Sequence, residues 1–169
     1  LTYYGGYGFK EYLEDVESTN FRMFKKDTST SLKERCATFA AFGDPNNYFL
    51  ARNHDWYYRT TMLVFTNPPD AYASVSVVDY FYLHYNENSS FETLEQKKNL
   101  LLAPFAPVDG MNEKGVAIGM MTVPYGGKDY VAGRKTIRES DVIRLVLDYA
   151  ATVEEAISLI EKYNIEFPL

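Results

Sequence analysis

Hydrophobic and polar positions follow two different periods along this chain, and the change of period divides it into elements. Short apolar runs at 36–42 and 48–52 flank the cluster Gly43-Asp44-Pro45-Asn46-Asn47, which is the pattern of a β-hairpin. Positions 62–66 and 72–79 read as strands joined by the turn Asn67-Pro68-Pro69-Asp70. A further strand is expected over 116–123, after a tight turn at Asn112-Glu113-Lys114-Gly115. Helical spacing appears elsewhere. Residues 10–17 suit a short helix, and Ser90 can cap another over 91–102, stopped by Ala103-Pro104. Ser140 or Asp141 opens a helix whose apolar positions are Ile143, Val146, Leu147 and Ala150. Thr152 and Glu155 form a capping-box pattern for the last helix, which buries Ala156, Leu159, Ile160 and Tyr163. Helices gathered after strands predict a layered α+β domain.

Ahead of the hairpin, Tyr3-Tyr4-Gly5-Gly6-Tyr7-Gly8-Phe9 reads as a flexible aromatic stretch, and packing onto the domain is preferred to a role as a lid. Lys25-Lys26-Asp27-Thr28-Ser29-Thr30-Ser31 reads as an exposed linker.

Composition narrows the classes of function. At 169 residues the chain fits one domain with an adequate core. A formal net charge of −6 argues against nucleic acid or an anionic membrane surface as the main partner. No apolar run approaches the length of a membrane span. Fifteen tyrosines would suit a pocket for acyl groups, but tyrosine is equally a common strand residue and carries little weight. One cysteine excludes an internal disulfide framework and leaves the compartment open.

That cysteine is the centre of the candidate chemistry. Antiparallel pairing of the hairpin returns Arg52 beside Cys36, and a thiol next to a cation is present more as thiolate, the nucleophilic form. Composition alone would make a lone cysteine a small buried hydrophobe. Arg52 and Asp55 are three apart, so an unbroken strand points them to opposite faces. If both serve one site the strand must end or bulge at Asn53-His54; otherwise they are an ion pair at the rim of a strand. His54 alternates away from Asn53 and Asp55. With His84 it reads as an ordinary polar residue, although a Cys/His dyad with either is an alternative. One cysteine and two separated histidines provide no zinc-like spacing, so neither a metal nor another cofactor is expected. Gly126-Gly127-Lys128 and Gly133-Arg134-Lys135 lack P-loop spacing and a preceding strand, and read as solvated loops.

Cys36, Arg52-Asn53-x-Asp55-Trp56 and Asp109-Gly110-Met111-Asn112-Glu113-Lys114-Gly115-Val116-Ala117 together resemble the choloylglycine hydrolase and penicillin V acylase group of N-terminal nucleophile (Ntn) hydrolases. Acid ceramidase-like amidases and acyl-CoA:6-aminopenicillanic acid acyltransferases are relatives of that group. Three motifs in order override the buried-cysteine reading. The resemblance implies the N-terminal portion of a four-layer αββα sandwich, with the rest of the domain and its remaining site residues outside this chain. It divides the sequence into a pro-segment or N-terminal extension, residues 1–35, and the nucleophile-bearing half, residues 36–169. It also implies a cysteine amidase that hydrolyses linear carbon–nitrogen bonds of small N-acyl amides through an acyl-thioester on Cys36. The general base would be the α-amine of Cys36, freed by autoprocessing at Arg35-Cys36. Asp55 would hold that amine, and Arg52 would favour the thiolate and touch substrate. Counting forward from the Asn-Glu-Lys-Gly motif puts the oxyanion-hole position at Thr122, where a backbone N–H would serve. The Asn-Glu-Lys-Gly motif itself is read as a turn. Two alternatives stand beside the amidase: an acyltransferase that passes the thioester to an amine, and an inactive fragment or binding module. Expected partners are the missing half of the domain and another copy of the chain.

Overall fold

In a computed structural model, residues 1–16, 35–55, 60–86, 88–121 and 130–166 are described. The fold is α+β. In chain order the elements are β1 (Thr2–Tyr3), α1 (Phe9–Asp15), β2 (Arg35–Ala41), β3 (Phe49–Asp55), β4 (Thr61–Thr66), β5 (Ser74–Asp79) and α2 (Leu94–Lys97). Then come β6 (Asp109–Asn112), β7 (Ala117–Gly119), β8 (Thr136–Arg138), α3 (Glu139–Tyr149), α4 (Val153–Ile160) and β9 (Asn164–Glu166). Strands β1-β4-β5-β6-β7 form a five-stranded sheet in that order, while β2-β3 and β8-β9 are separate two-stranded units.

Alternation along β4, β5 and β6 gives the main sheet two unlike faces. On the inner face Val64, Thr66, Ser74, Ser76, Val78 and Asn112 are buried. Helix α3 lies against this face. A methyl group on Gly110 would stand 2.6 Å from the Val75 carbonyl oxygen and 2.8 Å from Leu147 Cδ1, so glycine is what lets the helix approach β6. Asn112 secures the contact. Its Nδ2 donates to the carbonyls of Leu147 at 3.1 Å and Ala150 at 2.7 Å, covering orphan carbonyls at the end of α3. Its Oδ1 accepts from the backbone N–H groups of Lys114 and Val116, both at 3.1 Å, and so shapes the β6–β7 turn. Gly115 at φ 82° completes that turn.

The outer face of the same sheet carries Leu63, Phe65, Val75, Val77 and Met111, with Leu63 53% exposed and Phe65 46% exposed. Asp79 and Asp109 share this face at one end, since Thr61 pairs Asp79 and Val77 pairs Asp109.

Residues 1–16 pack onto the fold through β1 and α1, while Tyr4 between them is exposed. β1 runs parallel to β4, and Phe9, Leu13 and Val16 are buried with Ile137, Val142 and Leu145. Within the aromatic stretch Tyr3 donates to the Leu100 carbonyl at 2.6 Å and Tyr7 to Asp148 at 2.6 Å; just beyond it Tyr12 donates to Asp141 at 2.9 Å. The expected helix over 91–102 starts later and is mostly of another kind. Thr93, not Ser90, makes the capping box with Gln96, opening the single α-helical turn of α2, and a 3₁₀ run Lys98–Phe105 follows through Pro104. Strands β1, β6, β8 and β9 carry no signal in the sequence pattern. The hairpin, the β4–β5 pair, α1 and α3 agree with it. Helix α4 begins after Thr152, whose Oγ accepts from Glu155 N at 3.2 Å. Strand β7 covers Ala117–Gly119 of the expected 116–123; the end of that segment, the Gly126-Gly127-Lys128 loop and the 25–31 linker lie outside the described residues.

Candidate functional site

Hairpin β2–β3 owes its turn to Asp44. The carboxylate accepts from Asn47 Nδ2 at 2.7 Å and from Asn46 N at 2.9 Å, and these bonds hold its pKa below the ordinary aspartate value. The strands then pair without interruption from Ala41↔Phe49 to Arg35↔Asp55, with Cys36 opposite His54 and Thr38 opposite Arg52. Cross-strand alternation puts Cys36, Thr38, Arg52 and His54 on one face. Asn53 and Asp55 belong to the other.

Arg52 is the hub of the cluster, with its side chain only 6% exposed. Nη1 donates to Asp109 Oδ2 at 2.6 Å. Nη2 donates to the Met120 carbonyl and lies 3.7 Å from Cys36 Sγ and 3.1 Å from His54 Nδ1. Gly119 makes this possible, because a methyl group there would stand 3.0 Å from Arg52 Cδ and 3.4 Å from Nε. Behind the histidine, Asp79 is fully buried. Its Oδ1 accepts from Phe81 N at 2.8 Å, and its Oδ2 is 3.7 Å from His54 Nε2. The hairpin therefore reaches the carboxylate end of the outer sheet face through two cationic or basic side chains.

Of the residues singled out from the sequence, the structure brings Cys36 and Arg52 together. Asp55 does not join them, since β3 neither ends nor bulges at Asn53-His54; the residue is exposed and stands across from Arg35. Thr122 lies outside the described residues. Three contributors went unrecognised in the sequence: His54 as a neighbour of Arg52, and Asp79 and Asp109 as acidic residues at the site. Asp109 carried a usable signal, because it alternates with Met111 while Gly110 and Asn112 face α3. Asp79 carried only its place at the end of an apolar strand.

A second buried polar group sits on α3, away from Cys36. Arg144 is fully buried; its Nε is 3.1 Å from Asp148 Oδ1 and its Nη2 donates to Ser74 Oγ at 2.7 Å. Desolvation raises the pKa of Asp148 to about 6 in spite of Arg144, and burial raises that of Tyr7 as well. A phenol and a guanidinium around one carboxylate act here as a structural tie.

The sequence model of the acyl-coenzyme A:6-aminopenicillanic acid acyl-transferase family matches residues 42–167, most of the chain. The match takes in Arg52, Asp55, Asp109 and Thr122 and begins after Cys36. No curated protein and no solved structure gives a significant match. The chain belongs to this acyl-transferase family and, through it, to the Ntn-hydrolase-like superfamily.

Proposed function

We propose that this family member is a cysteine amidase of the Ntn type, cleaving linear carbon–nitrogen bonds in small N-acyl substrates with Cys36 as nucleophile. The observation that carries the reading is the approach of Arg52 Nη2 to Cys36 Sγ at 3.7 Å, with the guanidinium held by Asp109 and the Met120 carbonyl. Sulfur adds to the amide carbonyl, the carbon–nitrogen bond breaks, and the amine leaves with a proton. Water then adds to the thioester and the carbon–sulfur bond breaks, releasing the acid and the thiol. In the processed form the α-amine of Cys36 relays the proton. Asp55 suits the task of holding that amine: it stands across from Arg35, level with the Arg35-Cys36 bond and on the side away from Sγ. Thr122 lies two residues beyond Met120, so its backbone N–H is our candidate oxyanion donor. The apolar outer face with Leu63, Phe65 and Met111 supports a second sheet lying over it, as in a four-layer αββα sandwich, supplied by the rest of the domain.

The family match favours a second reading equally, in which the thioester passes to an amine acceptor. Hydroxylamine separates the readings. Given a panel of N-acyl amides, an amidase releases free acid without additives and diverts part of it to hydroxamate when hydroxylamine is present. An acyltransferase releases little acid until an amine is supplied. Absence of both products overturns the proposal and leaves a binding module; turnover that survives Cys36→Ala overturns Cys36 as the nucleophile.

A further inference from the structure

The site holds a second candidate for proton transfer, independent of the α-amine. His54 is the direct cross-strand partner of Cys36, and directly opposed residues have Cβ atoms about 5 Å apart, on one face of the hairpin. Its two ring nitrogens meet different groups: Nδ1 lies 3.1 Å from Arg52 Nη2, and Nε2 faces Asp79 Oδ2 at 3.7 Å. Asp79 is fully buried, and among the described residues no lysine or arginine forms an ion pair with it. Arg52 already answers Asp109.

We infer that His54, oriented by Asp79, accepts the proton of the Cys36 thiol while the Arg35-Cys36 peptide bond is intact and the α-amine is blocked. This rests on the reading of Cys36 as the nucleophile. Arg52 couples the two partners. Its Nη2 carries two hydrogens and has three acceptors around it, the Met120 carbonyl, His54 Nδ1 and Cys36 Sγ. With a neutral thiol, the carbonyl and Nδ1 take both hydrogens. When the Sγ–H bond breaks, the electron pair stays on sulfur, the new anion draws one Nη2–H to itself, and Nδ1 is released to bind the proton. The arrangement has the logic of a nucleophile, a base and an acid that orients the base. In it His54 is catalytic and Asp79 is a positioning residue.

Alkylation tests this without any substrate. The full chain, with residues 1–35 shown by intact mass to be attached, is treated with iodoacetamide at pH 7.5; sulfur forms a bond to carbon as iodide leaves, and the His54 proton passes to solvent. Labelling of Cys36 is followed by peptide mass spectrometry in native and urea-unfolded chain. The native wild type should label faster than the unfolded chain, and His54→Gln should slow native labelling roughly tenfold or more. Asp79→Asn should slow it less. His54 is on a strand surface, 25% exposed, so its substitution leaves the fold measurable by thermal unfolding even where Asp79→Asn does not fold. If His54→Gln labels at the wild-type rate while both exceed the unfolded chain, the inference about His54 falls and Cys36 remains an activated nucleophile. If native wild type labels no faster than unfolded chain, the reading of Cys36 falls and this inference falls with it.

Discussion

Arg52 and Asp109, 57 positions apart in sequence, meet at 2.6 Å and fix the β2–β3 hairpin to the end of the main sheet. The pair does more than join two elements. By taking Nη1, Asp109 leaves Nη2 turned toward Cys36 and the Met120 carbonyl. The carboxylate thus sets which edge of the guanidinium the sulfur meets.

Replacing Asp109 should therefore disturb the site and stability together. Asp109→Ala leaves a nearly buried guanidinium without its ion-pair partner, at a cost of about 2 kcal/mol, read by urea unfolding. Arg52→Lys keeps the charge but cannot reach Asp109, Met120 and Cys36 at once, because an ammonium lacks the planar fork. Its turnover should drop by roughly tenfold or more. Wild-type turnover in Arg52→Lys would make Arg52 a structural residue.

Much of this was legible beforehand, for local reasons. The hairpin followed from Gly43 to Asn47 lying between two apolar runs, and the Cys36–Arg52 approach followed from the hairpin. The α3 and α4 signals lay in their own spacing and in Thr152. The rest depended on contacts distant in sequence. Nothing near Tyr7 announces Asp148, and nothing near Asp79 announces His54. The Asp109–Ala117 motif divides accordingly: Gly110 and Asn112 serve α3, Gly115 serves the turn, and Asp109 serves the site. Reading it as a turn was right for Asn112 through Gly115 and left out its first residue. The helix expected over 91–102 failed on competition between caps, since Thr93 and Gln96 satisfy each other and Ser90 does not enter the box.

Gly110 and Gly119 should respond to alanine in opposite ways. At Gly110 the new methyl meets backbone, the Val75 carbonyl oxygen at 2.6 Å, which cannot move without opening β5–β6. Gly110→Ala should lose about 2 kcal/mol or more of stability, in the range of an overpacked core. At Gly119 the methyl meets the flexible Arg52 side chain at 3.0 Å. Gly119→Ala should keep most of its stability and lose turnover as Arg52 is displaced. Thermal unfolding and steady-state kinetics on both variants read the contrast, and equal stability losses would count against it.

Cleavage at Arg35-Cys36 should not release the N-terminal segment. Leu1 donates to the Leu63 carbonyl at 3.0 Å and accepts from Phe65 N at 2.8 Å, Tyr3 accepts from Asn67 N at 3.0 Å, and Lys135 Nζ donates to the carbonyls of Leu13 and Glu14. With the buried Phe9, Leu13 and Val16 and two tyrosine–carboxylate bonds, these contacts persist whether or not the chain is continuous beyond them. Processed protein should show a new N-terminus at Cys36 in denaturing mass spectrometry, and native mass spectrometry should find both pieces in one particle. Loss of the small piece on native gel filtration would show that the segment is held by covalent continuity alone.

The tie between Tyr7 and Asp148 should make stability depend on pH in an unusual direction. Burial raises the Asp148 pKa from the ordinary 3.8 to about 6, outweighing Arg144, while the nearby Asp70 charge adds to the rise. Tyr7, whose hydroxyl faces both carboxylate oxygens at 2.6 and 2.7 Å, stays protonated throughout. Between pH 4 and 6 the folded chain then holds more protons on this residue than the unfolded chain, so its contribution to stability falls as pH rises. The full contribution is present below the unfolded value and is lost by about pH 6, a change of about 3 kcal/mol. Asp148→Asn removes the titration. Other carboxylates titrate in the same window, so the measurement is the difference in unfolding free energy between wild type and variant. That difference should move in favour of the wild type as pH falls from 7 to 4.5. A difference that stays flat, or moves toward the variant, would show that Arg144 keeps Asp148 ionised despite its burial.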